Sequence, residues 1–324
     1  MEKVSEVYRH LYHYTNWDGL KGILDTQSMW ASNIRYLNDQ SELFQARDAI
    51  HRLLLPRVTS VIEEMASTST QAKKFVEIKG GSKKFADNET RTLIKAAYHA
   101  TGEDFYVLSF CGEPKKQYIK ENGLLSQWRG YGAGGGFAIV LDSKKMELLF
   151  ENEIQNYDYG PSHISDAIYG EDDKNFETEF IPRINDFVDY SAGMIRHIIF
   201  GDNMPDPSKA MDAMFVCITR YKHIGFEEED EVRIVAAPTI QTQEYIDLHR
   251  EKKKILKSPK QINVRTENGK PTPYIELFDF HDRKLPIEKI IVGPSADKEM
   301  IAAAVRKFVI GTKIEVTVSD IPYV

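Results

Sequence analysis

The sequence predicts an α+β fold, with a mixed, mostly antiparallel sheet as its core and helical insertions forming a lobe. Three observations lead there. Short strand-like segments open the chain, separate its helical blocks and dominate its final third. Helical periodicity gathers in two insertions near 42–102 and 174–221. No Pro-rich or Gly/Ser-rich linker divides the chain, so residues 1–324 are expected to form a single α+β domain.

Taken in order, His10–Tyr14 reads as a short strand, followed by Asn16 as the N-cap of a helix over Trp17–Leu24. Met29–Ser32 fits a second strand, and Arg35–Asp39 a polar turn. Ser41 opens a helical stretch over Glu42–Met65, which Pro56 is expected to kink or split because it lacks an N–H and crowds the preceding turn. Lys79–Lys84 reads as an exposed loop, Asn88–Ala100 as helix, Phe105–Phe110 as a buried strand, Tyr118–Asn122 as loop and Leu124–Tyr131 as a short helix or turn. Gly134–Asp142 is a glycine-led strand. Helices follow at Lys174–Ile199 and Ser208–Tyr221, then strands at Glu231–Ala236, Tyr274–Phe280 and Lys289–Val292. The last of these leads into a helix at Asp297–Val309 and a closing strand at Lys313–Val318.

Bulk properties narrow the classes of function. With 42% hydrophobic and 28% charged residues, the composition is that of an ordinary soluble protein. No run approaches the roughly eighteen apolar residues of a membrane span, and the first residues are too polar for a signal peptide. A cytoplasmic protein without a membrane partner is expected. The formal net charge of −7 argues against nucleic-acid binding through bulk electrostatics, though a local groove stays open. Cys111 and Cys217 stand far apart without ligand spacing and are expected to be small buried residues rather than a disulfide or zinc site. No metal site is expected.

Four clusters carry the candidate chemistry. The first is a row of alternating charges, Glu229, Glu231 and Arg233, at the start of a strand where side chains two apart share a face. Arg233 lies between Val232 and Ile234, and on a buried face its guanidinium needs a carboxylate or a ligand anion. The acids can equally be a solvated strand entrance. In the second cluster, His13 and Thr15 share a face at the end of the first strand, just before a helix N-terminus that suits anionic ligands. Alternatively, His13 bonds a neighbouring backbone and Thr15 caps the helix.

Third, Arg35, Tyr36, Asn38, Asp39 and Glu42 form a polar cluster suited to ribose or phosphate, or to a turn with capping chemistry. Fourth, Ser126, Gln127, Trp128, Arg129 and Tyr131 gather beside Gly130, Gly132 and the glycines at 134–136, supplying stacking rings and a fixed cation. That segment reads equally as a packed turn. The glycine run has neither phosphate-loop nor dinucleotide spacing. No Gly-x-Ser-x-Gly elbow, His-Glu-x-x-His or Cys-x-x-Cys occurs, and Lys252–Lys254 with Lys257 read as a solvated basic face.

In this order the pieces resemble a widespread bacterial domain family of unknown function over nearly the whole chain. They are Leu11–Thr15, Trp30–Asp39 with Glu42, Leu125–Arg129 with Tyr131 and Gly132, and Lys222–His223 followed by Phe226, Glu229, Glu231 and Arg233. Ile290–Pro294 and Ser319–Tyr323 extend the likeness, while Val232 stands where that family usually has Trp.

A more distant resemblance is to the ADP-ribosyltransferase superfamily, through the opening strand with His13 and Thr15 and the late Glu229-x-Glu231. It implies NAD as substrate. His13 would bond the adenosine ribose, Tyr36 or Tyr131 would pack on nicotinamide, and Glu231 or Glu229 would steady the oxocarbenium-like charge as nicotinamide departs. Arg129 or Arg233 would hold the pyrophosphate. The family resemblance also suggests a role in phage defence or as a toxin, with the macromolecular target unidentified. Two other readings compete. One is a non-enzymatic nucleotide or nucleic-acid sensor gripping its ligand through Trp128, Arg129 and Tyr131. The other is a metal-dependent nuclease using Asp39, Glu42, Glu229 and Glu231.

Overall fold

The computed structural model describes residues 2–36, 41–100, 105–132, 135–267, 269–279 and 284–322. The chain divides into two compact units, one formed by Met1–Tyr36, Phe105–Asp166 and Glu227–Val324, the other by Leu37–Asp104 and Ala167–Phe226. No helix among the described residues is long and apolar enough to cross a membrane.

The fold is α+β. Its strands in chain order are β1 (His10–Thr15), β2 (Met29–Asn33), β3 (Tyr106–Gly112), β4 (Phe137–Asp142), β5 (Tyr157–Asp166), β6 (Ile168–Tyr169), β7 (Tyr221–Lys222), β8 (Glu231–Pro238), β9 (Ser258–Pro259), β10 (Ile262–Glu267), β11 (Lys270–Leu277), β12 (Ile287–Val292) and β13 (Glu315–Val318). All but β6 and β7 join the 11-stranded sheet of the first unit. Its pairings are antiparallel except for β5–β9 and β12–β13.

Alternation along the strands sets the two faces of this sheet. Leu11, Leu108, Phe110, Ile139, Val232, Ile234, Ile275 and Ile290 point into one core, which is covered by residues such as Leu20, Met146, Phe150 and Val305 from three helices. Tyr12, Tyr14, Cys111, Ala138, Val140 and Ile291 point the other way, packing with Trp128 and Ile321. The helix Trp17–Thr26 links β1 to β2, and its Asn16 cap accepts from the Gly19 amide at 2.9 Å. Gly19 is required there, since a Cβ would lie 2.0 Å from the Thr15 hydroxyl.

The sheet forks at β3. One edge of β3 pairs continuously with β8, from Tyr106–Ala236 to Cys111–Glu231. The other edge is shared: β1 takes Cys111 and Gly112, whereas β2 takes Tyr106 and Val107. Leu108–Phe110 therefore have no strand partner on that edge among the described residues. Beyond the fork β1 continues into β4 and β12, while β2 continues into β11 and β10.

The second unit is largely helical. The insertions expected near 42–102 and 174–221 fall within it, as the helices Ser41–Thr68, Thr70–Ile78, Ser82–Ala100, Phe176–Phe200 and Ser208–Arg220. Val58, Ile62, Phe85, Ile195 and Ile199 lie at the heart of one of its cores. Pro56 does not split its helix. Arg57 Nη1 and Thr59 Oγ1 donate to the carbonyls of Leu53 and Leu55, in the turns next to the proline.

Other expectations need correction. Tyr118–Asn122 is not loop but part of the helix Gln117–Asn122, and the helix expected from Asn88 begins at Ser82. The helix Ser143–Asn156, β5, the helix Gln243–Glu251 and β10 had no counterpart in the reading of the sequence. Cys111 and Cys217 are both buried and free.

Candidate functional site

His13 stands at the fork. It lies one residue beyond the last β1–β3 pair, where the ladder has let go of β3, and its Nδ1–H donates to the Ser109 carbonyl at 3.1 Å. A carbonyl only accepts, so the bond fixes the proton on Nδ1. The ring meets Phe110 edge-on, with centroids 5.8 Å apart. Burial lowers the His13 pKa, opposed in part by the Ser109 bond, and the imidazole is neutral at neutral pH.

Register decides which candidates share a surface. His13 pairs with Ile139 and Thr15 with Phe137, so both belong to the face of the first core, as expected of each other. Glu231 pairs with Cys111 and Arg233 with Ser109. Cys111 pairs in turn with Tyr12, which belongs to the opposite face. His13 and Glu231 are thus two strands apart, about 10 Å by strand spacing, and point to opposite sides of the sheet. A single pocket using both side chains, as the transferase resemblance implies, is not assembled.

The charged row is shorter than the sequence suggests. Glu229 closes a 3-10 turn over Ile224–Glu229, and Asp230 follows at φ 45°, so the strand begins at Glu231. Asp230 in a left-handed conformation breaks the two-residue alternation that would have put Glu229 on the same face. Glu231 and Arg233 do share a face, joined at 2.9 Å from Nη2 to Oε2 with both side chains nearly closed to solvent. Such a pair holds its carboxylate in a fixed position. Removing either partner would strand a buried charge.

The helix Leu125–Tyr131 packs on the same face as Glu231 and Arg233. Trp128 is 3% exposed, stands edge-on to Tyr14 with ring centroids 4.9 Å apart, and donates Nε1–H to the Asn122 carbonyl at 2.9 Å. Its ring is therefore committed to packing and has no face open for stacking a ligand. The glycines around it form its socket. A Cβ on Gly123 would lie 2.5 Å from the indole, and one on Gly293 would lie 2.8 Å from it. Arg129 and Tyr131 are exposed, whereas the Ser126 hydroxyl is buried with no hydrogen-bond partner among the described residues.

Tyr36 is exposed at the end of the 3-10 turn Ile34–Tyr36, where the Asn33 side chain accepts from the Arg35 amide at 3.0 Å. Asn38 and Asp39 lie outside the described residues, and Glu42 falls in the helix Ser41–Thr68 of the second unit. Among the described residues no group of three or more His, Cys, Asp or Glu is placed to hold a metal ion. Of the nuclease carboxylates, Glu229 and Glu231 do not share a strand face.

Strand register thus puts Tyr14, Ser109, Glu231 and Arg233 on one face, and the helix carrying Arg129 and Tyr131 packs on that face against Tyr14 through Trp128. The same register adds Ser32 and Trp30 from β2. Ser109, Tyr14 and Trp30 were not identified as site residues from sequence. A lone serine inside the apolar run Val107–Cys111 was the available signal for Ser109.

A family model described as "Protein of unknown function (DUF2971)" matches residues 127–234. The match opens in the helix carrying Trp128 and Arg129 and ends in the strand carrying Glu231 and Arg233. It is narrower than the near whole-chain resemblance expected from the motifs, and includes neither His13 nor Ile290–Pro294. No curated protein and no solved structure matches the chain.

Proposed function

Starting from a chain that carries the DUF2971 signature over residues 127–234, we propose that it binds a nucleotide of the NAD class on the sheet face bearing Glu231 and Arg233. One observation carries the reading. The sheet forks at Ser109, and the face around the gap gathers a fixed carboxylate, a hydroxyl and aromatic side chains; the helix bearing the exposed Arg129 and Tyr131 packs on that same face through Trp128. A guanidinium and a phenol suit the pyrophosphate and a flat ring.

Cleavage of the nicotinamide–ribose bond is the second reading, favoured by the position of Glu231 at the first residue of β8 and its bond to Arg233. As the bond breaks, nicotinamide departs with the electron pair and leaves an oxocarbenium-like ribose. A carboxylate already held in place favours that charge. His13 acts from the other face, as the group that holds Ser109 at the fork.

Calorimetric titration of the full chain with NAD, alongside a nicotinamide-release assay, separates the readings. Saturable binding weakened at least tenfold by Arg129→Ala supports the nucleotide site, and absence of binding removes it. Release that Glu231→Gln abolishes supports cleavage. Release unchanged in that variant sinks it while leaving the binding reading intact.

A further inference from the structure

On the wing of the sheet beyond the fork, β2, β11 and β10 present an aromatic and cationic cluster outside the four candidate clusters. Tyr274 pairs with Ser32 and Glu276 with Trp30, while Asn263 pairs with Tyr274 and Arg265 with Thr272. All of these side chains share one face. Ser32 also pairs with Val107, and Val107 with Val235, so this face is continuous with the one bearing Glu231 and Arg233.

The Trp30 and Tyr274 rings lie tilted against each other, with centroids 4.4 Å apart and an interplanar angle of 35°. The Arg265 guanidinium spans both, 5.3 Å from the Trp30 centroid and 5.6 Å from that of Tyr274, and donates Nη2–H to the Ser32 hydroxyl at 3.0 Å. A cross-strand aromatic pair stabilises a sheet by itself. Trp30, however, remains 44% exposed, in the largest and most readily buried side chain type on this surface.

We infer that Trp30 and Tyr274 form a stacking platform for the purine base of the bound nucleotide, an inference that rests on the proposed nucleotide site. The chemistry fits a planar, electron-poor heterocycle with hydrogen-bonding edges. Indole and phenol supply the flat apolar surface, and the guanidinium fixed over them polarises the stack. Glu276, directly across from Trp30, accepts from an exocyclic amine, and Asn263, across from Tyr274, both donates and accepts. Placing the base on this wing leaves the sugar and phosphates to run toward the fork.

The test is titration of the full chain with AMP, nicotinamide mononucleotide and NAD, in wild type and in Trp30→Ala, Trp30→Phe and Arg265→Ala. Circular dichroism confirms that each variant is folded. Trp30→Ala is expected to weaken AMP and NAD by about 5- to 150-fold, with Trp30→Phe recovering most of the loss and nicotinamide mononucleotide unaffected. Equal affinity of Trp30→Ala and wild type for AMP and NAD overturns the platform while leaving the nucleotide site standing. AMP binding that depends on Trp30 without any NAD binding sustains the platform and removes the NAD reading. If wild type binds none of the three, both are refuted.

Discussion

Gly293→Ala tests whether the glycines around Trp128 exist for the indole rather than for a ligand. A Cβ at this position would lie 2.8 Å from Trp128 Cε3, 2.9 Å from Cζ3 and 3.0 Å from the Gly136 carbonyl oxygen. None of these neighbours has room to retreat. The indole is tied by Nε1–H to the Asn122 carbonyl at 2.9 Å and backed by Gly123, while the Gly136 carbonyl already accepts from the Gly293 amide at 2.8 Å. Overpacking of this kind costs about 1–3 kcal/mol. In a Trp128→Phe background the two indole carbons nearest the new methyl are gone, so the cost of Gly293→Ala should fall by about 1–2 kcal/mol, a coupling of the size contacting residues show. Because the chain has two compact units, one global unfolding curve is a poor readout. Amide exchange at Tyr14 and Val140, whose side chains join the same cluster as Trp128, reads the first unit directly. An identical cost in both backgrounds would refute the socket.

Lys260 and Glu153 form a buried pair at 2.8 Å, with side chains only 2% and 0% exposed, and Glu153 also accepts from Tyr159 Oη–H and the Phe278 amide. Lys260→Met leaves that carboxylate buried without its cation and is expected to cost about 3–5 kcal/mol in local amide exchange of β11; a loss under about 1 kcal/mol would contradict the pair's role. His13 makes a pH prediction. Its folded pKa is depressed by burial, so its contribution is complete above the ordinary imidazole pKa of 6.5 and is lost as pH falls toward the folded value, because only the unfolded ring takes up a proton. Between pH 7 and pH 5 the wild type should therefore lose stability more steeply than His13→Asn. Parallel pH profiles of amide-exchange protection in β1 for the two would show that His13 is not buried as described.

Much of the fold could be read from local pattern. β1, the Asn16 cap, β3 and the helix–strand close of the chain follow from alternation, capping and apolar periodicity, all of which are short-range signals. Other parts depend on partners distant in sequence. The helix Ser143–Asn156 and β5 are covered by charged and tyrosine-rich sequence whose burial is set by Glu153, Lys260 and the strands they meet. The fork itself is a pairing choice of β3, and no local pattern says that one edge will be divided between two strands.

The site was legible in part for the same reason. The Glu231–Arg233 alternation survived because both residues lie inside β8, whereas Glu229 was lost to the left-handed Asp230 just before it. Sequence order placed His13 and Glu231 in one imagined cleft; strand register puts them on opposite faces. Trp128 looked like a stacking residue because its glycine neighbours resemble a ligand loop. Those glycines are present because the indole fills the space that their side chains would have taken.

The most direct measurement is hydrogen exchange of the full chain with and without saturating NAD, resolved to single residues around the fork. The account predicts slowed exchange at Leu108–Phe110, which no strand among the described residues covers on one edge, and at Arg129 and Tyr131, with no change at the β12–β13 pair. Protection absent from the fork, or confined to the helical unit, would contradict it.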